Sequence, residues 1–564
     1  MFKRSEKKEI DNEKRAEVVE ELEVDSISDA TSDLNQGDGR FVAGGHTKRR
    51  LKGRHIDLIA IGGSIGTALF VTIGNGLMKG GCGNLLVSFT IHAFFMYLVT
   101  LTIGELICFL PVDSPFISHA GRFVDPAFEF MMGYNFYIMV SLYLPFEITS
   151  FNSMIHFWAE GYSPAAAFAP QIVAYLALNI FAVKAYGESE FYLSMGKLIL
   201  AFGLIFFTFV TMVGGNPQHD AFGFRNFKGV HNAFPQYLGS GASAFWAAYL
   251  KAIFTEAAPE YLGMVAGEAE NPRVTMPRAF KTIIYRLLGF FVLGSLSVGI
   301  ILKHDNAKLV EAITQGASGA NVSPYVIAMQ NMKIKALPDI VNVLCMTSTF
   351  SAGNSYMYCS TRALFALAKR GLAPKFFTYT TKNGVPIAAL VMAVCFSCLS
   401  LLQLGSAASV ALDWMVNLVT GAQINNYVFM MITYLGFYRA CNAQGLDRST
   451  LPLQSWCTKL QPWPAYYCIF TGSIIIMFLG ASAFIPTFSV DDFLYYYLFF
   501  FIDVALFLFW KIVKRTKFVD PKTADLVSYL DVLDAHEREY YAAKGLEGPP
   551  KELKWYQKIV SWAL

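Results

Sequence analysis

Stretches of about 20 apolar residues recur along this 564-residue chain, each long enough to cross the roughly 30 Å hydrocarbon layer of a bilayer as a helix. They fall near 56–79, 84–111, 127–150, 169–186, 189–213, 241–267, 282–302, 337–363, 384–404, 407–437, 464–485 and 491–513, which gives twelve expected spans. Backbone polar groups in lipid must be satisfied within the segment, so runs of this length imply helices. The expected class is an all-α membrane protein. Composition agrees: 54% of residues are apolar and 15% charged, against about a quarter charged in soluble domains, which excludes an ordinary soluble enzyme. Lys and Arg number 45 against 42 Asp and Glu, so no charge excess points to nucleic acid as a partner. The nine cysteines show neither a disulfide framework nor a metal-ligand spacing, so no cofactor or metal is expected.

Charge placement orients the bundle. Lys48, Arg49, Arg50, Lys52 and Arg54 precede the first span, Arg273, Arg278 and Lys281 follow the sixth, and Arg362, Lys369, Arg370 and Lys375 follow the eighth. The opposite loops at 151–168, 405–408 and 486–490 carry no Lys or Arg. The positive-inside rule therefore places both termini in the cytosol. The longer loop with Lys303, Lys308, Lys333 and Lys335 does not overturn this, because long loops translocate largely regardless of charge. The expected organisation is a cytosolic tail over 1–53, a twelve-helix membrane body over 54–513 and a cytosolic tail over 514–564. The first tail has the composition of a disordered segment, lacks the pattern of a cleavable signal, and offers lysines to trafficking or ubiquitination machinery. Residues 551–564 alternate lysines with Leu553, Trp555, Ile559 and Trp562, which suits an amphipathic helix on the membrane or the bundle.

Two spans carry interruptions. The first holds Gly62, Gly63, Ser64, Ile65, Gly66 and Thr67 near its middle, where each glycine costs about 1 kcal/mol relative to alanine. The sixth holds Thr255, Glu256, Ala257, Ala258, Pro259 and Glu260, where Pro259 removes a donor and clashes with the preceding turn. Unwound backbone at membrane depth survives only where it lines a cavity or is buried in protein. Broken helices at corresponding places in two halves point to a transporter site, with amides of the first break facing an anion and carbonyls of the sixth facing a cation.

The runs GGSIGTALF at 62–70, GEL at 104–106, RFVDP at 122–126, GE at 187–188, GGNP with GFR at 214–225 and GEAENPR at 267–273 resemble the yeast amino acid transporter family. That family is the fungal branch of the amino acid–polyamine–organocation permeases. SPYVIAMQN at 323–331, the segment 350–377, NGVP at 383–386 and FYRACNAQG at 437–445 extend the similarity over about 50–515. Within the family, SPF at 114–116, PFE at 145–147 and IHFW at 155–158 look most like a broad-specificity member linked with carnitine and polyamine uptake. The resemblance implies a leucine-transporter-like five-plus-five inverted repeat, with repeats at 54–213 and 241–437 and extra helices over 464–513. It also implies proton-driven uptake of amino acids or related ammonium compounds at the plasma membrane. Ala68, Glu256, Ala258 and Pro259 depart from the family's usual residues, and the departure bears on substrate choice.

Ionisable groups inside spans are functional candidates, here Glu105, Glu147, Lys197, Lys251, Glu256 and Glu260. Lys197 on the fifth span is a candidate proton carrier, its alternative role being a fixed charge on broken-helix carbonyls. Glu260 is a candidate for the substrate's ammonium or for the proton. Glu256 shares a face with it if the turn stays helical, or pairs with Lys251. Glu147 is expected near the outer end of the third span, either in a wet vestibule or at the site, and Glu105 in a structural or gating contact. Phe254 and Tyr261 are candidate lids. The expected function is alternating-access uptake; the alternative is a nutrient sensor of the same fold that binds without transporting.

Overall fold

The computed structural model describes residues 51, 53, 56, 66–159, 161–181, 183–257, 259–314, 323–381, 385–404, 408–485, 487–543 and 545. The described residues form helices joined by short turns, with isolated bridges as their only β pairing. In chain order the main elements are α1 (Ile73–Phe109), α2 (Pro115–Phe123), α3 (Pro126–Ile155), α4 (Pro164–Phe181), α5 (Val183–Met212), α6 (Gly241–Thr255) and α7 (Pro259–Met264). There follow α8 (Pro272–Arg286), α9 (Leu293–Ile301), α10 (Pro324–Asn331), α11 (Leu337–Lys369), α12 (Ile387–Ser397), α13 (Ala408–Gln444), α14 (Trp463–Phe478), α15 (Val490–Lys514) and α16 (Leu530–Ala543).

Seven described helices are long and apolar enough to cross a membrane, and Pro164–Ile180 is a shorter apolar one. The expected spans 56–79 and 84–111 appear as two helices within Ala68–Phe109 that meet at a non-helical kink at Gly81. Gly81 has φ 75 and ψ 168, a conformation tolerated by glycine, and a Cβ there would overlap Pro235 and come within 2.8 Å of the Ala233 carbonyl. The eighth and tenth spans are absent from the apolar set because they are polar, and that polarity is turned inward. On α11, Ser348, Thr349, Ser351 and Asn354 are buried; on α13, Gln423, Asn425 and Asn426 are. Low hydropathy here marks helices that face the protein interior.

Local signals set the boundaries. Asp125 caps α3 by accepting from the Ala127 amide at 2.7 Å, with Pro126 at the first helical position and Glu129 in the first turn. Ser240 caps α6 through Ala242 N at 3.1 Å. The helix ends at Thr255 because Glu256, at ψ 72, leaves the helical region, and Pro259 opens α7. Two π-helical turns sit inside spans: Ala68–Thr72 leads into α1, and Leu287–Val292 joins α8 to α9. Such turns recur at functional sites. Ser323, just before α10, donates to the Phe70 carbonyl in the first π-turn at 2.8 Å, and Tyr325 donates to the Gly294 carbonyl beyond the second at 3.3 Å.

Glu105 sits in a buried ion pair, as expected for a structural or gating contact. Arg448 grips it through Nε at 2.8 Å and Nη2 at 2.9 Å, while Tyr434 donates to it at 2.7 Å. Glu105 is fully buried. We predict that Arg448→Ala costs about 3–5 kcal/mol by leaving this carboxylate uncompensated. The expected readout is a lower melting temperature in detergent, partly recovered by adding Glu105→Gln.

The segment after α15 packs on the bundle. Asp125 pairs with Lys511 and accepts from Thr516 at 2.6 Å, and Val519 N donates to the Val124 carbonyl at 2.9 Å. Arg122 bonds the Asp525 and Ser528 carbonyls. Arg273 holds Asp534 and Glu537, and Asn271 donates to Tyr541 at 2.9 Å, fixing α16 beside the loop after α7. The amphipathic segment expected over 551–564 and the tail 1–50 lie outside the described residues.

Candidate functional site

Of the first break, Gly62, Gly63, Ser64 and Ile65 lie outside the described residues, as does Ala258 of the second. Gly66 and Thr67 are described, and both abut Glu147. Thr67 donates to Glu147 Oε2 at 2.6 Å and lies 2.8 Å from the Thr349 hydroxyl. A Cβ on Gly66 would stand 2.7 Å from Glu147 Oε1, so glycine is what lets the carboxylate approach the backbone. Glu147 is 2% exposed. Of the two places open to Glu147, α3 carries it to the buried one, against the end of the first interruption, and not to a wet vestibule.

The second break opens as its sequence suggests. Beyond Thr255 the chain is non-helical at Glu256 and Ala257 and becomes helical again at Pro259. Glu256 and Glu260 therefore do not share one helical face. Both are fully buried. Glu260 accepts from Tyr427 at 2.9 Å, in a chain where Gln423 donates to Tyr427 at 2.7 Å and Tyr143 donates to Gln423 at 2.7 Å. Tyr143 stacks between Phe254 and Tyr356, with centroids at 5.5 and 4.6 Å, and Tyr261 lies 5.7 Å from Tyr356. Phe254 and Tyr261 thus belong to one aromatic wall. Neither Glu256 oxygen has a hydrogen-bond partner among the described residues, so the expected pair with Lys251 does not form.

Lys197 is fully buried beside Glu190, with Nζ 3.5 Å from Oε1, and it interacts electrostatically with Glu147 as well. Ser351 also donates to Glu190 at 2.7 Å. Sequence reasoning passed over Glu190, at the start of the fifth span, and Arg286, the single cation in the apolar run 282–302. Arg286 donates through Nη2 to the Ala257 carbonyl at 2.6 Å and is 2% exposed. A lone arginine inside an expected span is the signal that would have found it.

Interior carboxylates, two buried cations and an unwound helix whose Ala257 carbonyl accepts from Arg286 come together in a bundle of apolar helices, the arrangement of a candidate transport site. The chain belongs to the amino acid permease family, whose profile matches residues 55–522. It is 42% identical over 506 residues to the general amino acid permease AGP2 of Saccharomyces cerevisiae, covering 87% of this chain and 84% of that protein. It is 34% identical over 555 residues to a proline-specific permease of Emericella nidulans, covering 97% and 99%, and 32% identical over 513 residues to the lysine-specific permease of S. cerevisiae, covering 90% and 82%. A variant of the Eremococcus coleocola manganese transporter shares the fold, with a TM-score of 0.51 at 13% identity over 82% of this chain and 94% of that one. The protein is thus a multi-pass membrane permease for amino acids and not an enzyme.

Proposed function

We propose that the protein is a plasma-membrane carrier that takes up amino acids or related ammonium compounds, including carnitine and polyamines, by proton-coupled alternating access, with both termini cytosolic. The substrate carboxylate binds amides along Gly62–Thr67, and its cationic group binds the carbonyls and carboxylates at Thr255–Glu260. The proton resides on Lys197 or Glu260, with Glu147 against the first break. The tails serve trafficking or ubiquitination machinery.

One observation carries the reading: Glu256, fully buried at the sixth-helix break, has no hydrogen-bond partner among the described residues for either oxygen. A buried carboxylate in that condition is costly unless a proton or a cation joins it. Four carboxylates, Glu147, Glu190, Glu256 and Glu260, share this interior with Lys197 and Arg286, an arrangement that favours a cationic ligand or protons. Relatives named for general, proline and lysine transport support amino-acid substrates.

The test is uptake by proteoliposomes of labelled alanine, proline, glutamate, lysine, carnitine and spermidine under an inward proton gradient. Accumulation above equilibrium that a protonophore abolishes is expected for at least one cation-bearing compound. Binding without accumulation of any of the six supports a sensor.

A further inference from the structure

We propose that Arg286 is a positioning residue of the transport site, a tethered cation that trades places with the substrate's cationic group at the Ala257 carbonyl. The proposal rests on the uptake function above and adds to it a residue that holds the break and enforces charge balance.

The geometry is specific. Arg286 is the last residue of α8, and the π-turn Leu287–Val292 begins immediately after it. Its guanidinium reaches the sixth-helix break and donates to Ala257 O at 2.6 Å, a carbonyl outside the hydrogen-bonded turns of α6. That carbonyl lies just past the C-terminus of α6, where the helix dipole also attracts a cation. Carbonyls of this kind are what a substrate ammonium would seek. Arg286 interacts electrostatically with both Glu260 and Glu256. Neither Glu256 oxygen has a hydrogen-bond partner among the described residues, so the guanidinium acts on that carboxylate through charge while capping a carbonyl.

A planar guanidinium has five donors in a fixed fork, so it can turn from a carbonyl toward a carboxylate without losing its charge from the site. When an ammonium arrives at Ala257 O and Glu256, the guanidinium yields the carbonyl and stays beside Glu260, which also accepts from Tyr427. Through its peptide link to the π-turn, movement of Arg286 reports occupancy to the seventh span. A cation held only as a structural brace would make no such exchange.

The experiment measures uptake of labelled lysine and labelled alanine in proteoliposomes by the wild type, Arg286→Gln, Arg286→Lys, Glu256→Gln and Glu256→Gln/Arg286→Gln. Removing the tethered cation leaves two carboxylates for the lysine ammonium. In Arg286→Gln, KM for lysine is therefore expected to fall at least about tenfold while maximal velocity falls by a similar factor, because release slows. Alanine uptake is lost in Arg286→Gln, since a neutral zwitterion leaves the excess negative charge unbalanced, and is regained in the double variant. Arg286→Lys shifts the lysine parameters in the same direction by less. Unchanged KM and velocity in Arg286→Gln overturn the proposal, and so does a lower velocity with unchanged KM and no rescue by Glu256→Gln. Where Arg286→Gln does not fold, recovery of folding and alanine uptake in the double variant supports charge balance; failure of both the double and lysine variants to fold overturns it. Absence of uptake by the wild type sinks the function itself, a result distinct from normal uptake by the variants.

Discussion

Glu256→Gln is expected to lower uptake of lysine, carnitine and spermidine by roughly a hundredfold while leaving alanine uptake within about threefold of wild type, the size of change that follows loss of one desolvated charge contact of ~2–5 kcal/mol. The substitution keeps the shape of the side chain and removes only its charge. Glu256 is fully buried and has no hydrogen-bond partner among the described residues, so no bonded neighbour is orphaned by the change. The variant should therefore fold, and the loss should be selective for cations. Uptake of each compound as a function of its concentration provides the check. An equal loss for alanine and lysine would show that Glu256 serves the bundle as a whole rather than recognising charge.

The second large effect belongs to the fold. Gly81→Ala should sharply lower the yield of monodisperse protein and its melting temperature in detergent. Gly81 has φ 75, where a side chain costs about 1–3 kcal/mol, and overlap of the new methyl with Pro235 and Ala233 adds about 1–3 kcal/mol more. Together these come to about 2–6 kcal/mol, against about 5–15 kcal/mol for the whole stability of a typical domain. Gly203→Ala is the matched control. It lies in α5, where an added Cβ meets nothing within 4 Å, and it should be neutral or slightly stabilising.

Much of the architecture is legible in the sequence because lipid leaves the backbone few choices. The apolar runs mark α3, α5, α14 and α15 to within a few residues at most ends, and Pro259 among polar neighbours marks the interruption after α6. Other features escape for physical reasons. The helices α2 and α10 have nine and eight residues, too few for an apolar run to announce a span. The docking of 515–543 depends on contacts such as Arg122 to Ser528, 406 residues apart, which no local pattern encodes.

The site was legible in parts. Glu256, Glu260 and Lys197 are conspicuous as charges inside apolar runs, and all three are buried. Their partners were not legible, because pairing is set by helix packing. Lys197 meets Glu190, and Glu260 meets Tyr427. Glu147 was visible but its place stayed open between vestibule and site, since its position along α3 does not reveal that it packs against Gly66. Asp503 on α15 went unnoticed; it accepts from Asn425 at 2.8 Å, a polar link between the tenth and twelfth spans.

The most direct measurement is a structure of the protein with lysine bound, determined in a lipid nanodisc at saturating substrate. The interrupted-helix site requires the α-carboxylate within hydrogen-bonding distance of amides in Gly62–Thr67 and a cationic group within hydrogen-bonding distance of Ala257 O or a Glu256 oxygen. Lysine bound elsewhere, with the sixth-helix interruption closed over Glu256, would contradict it.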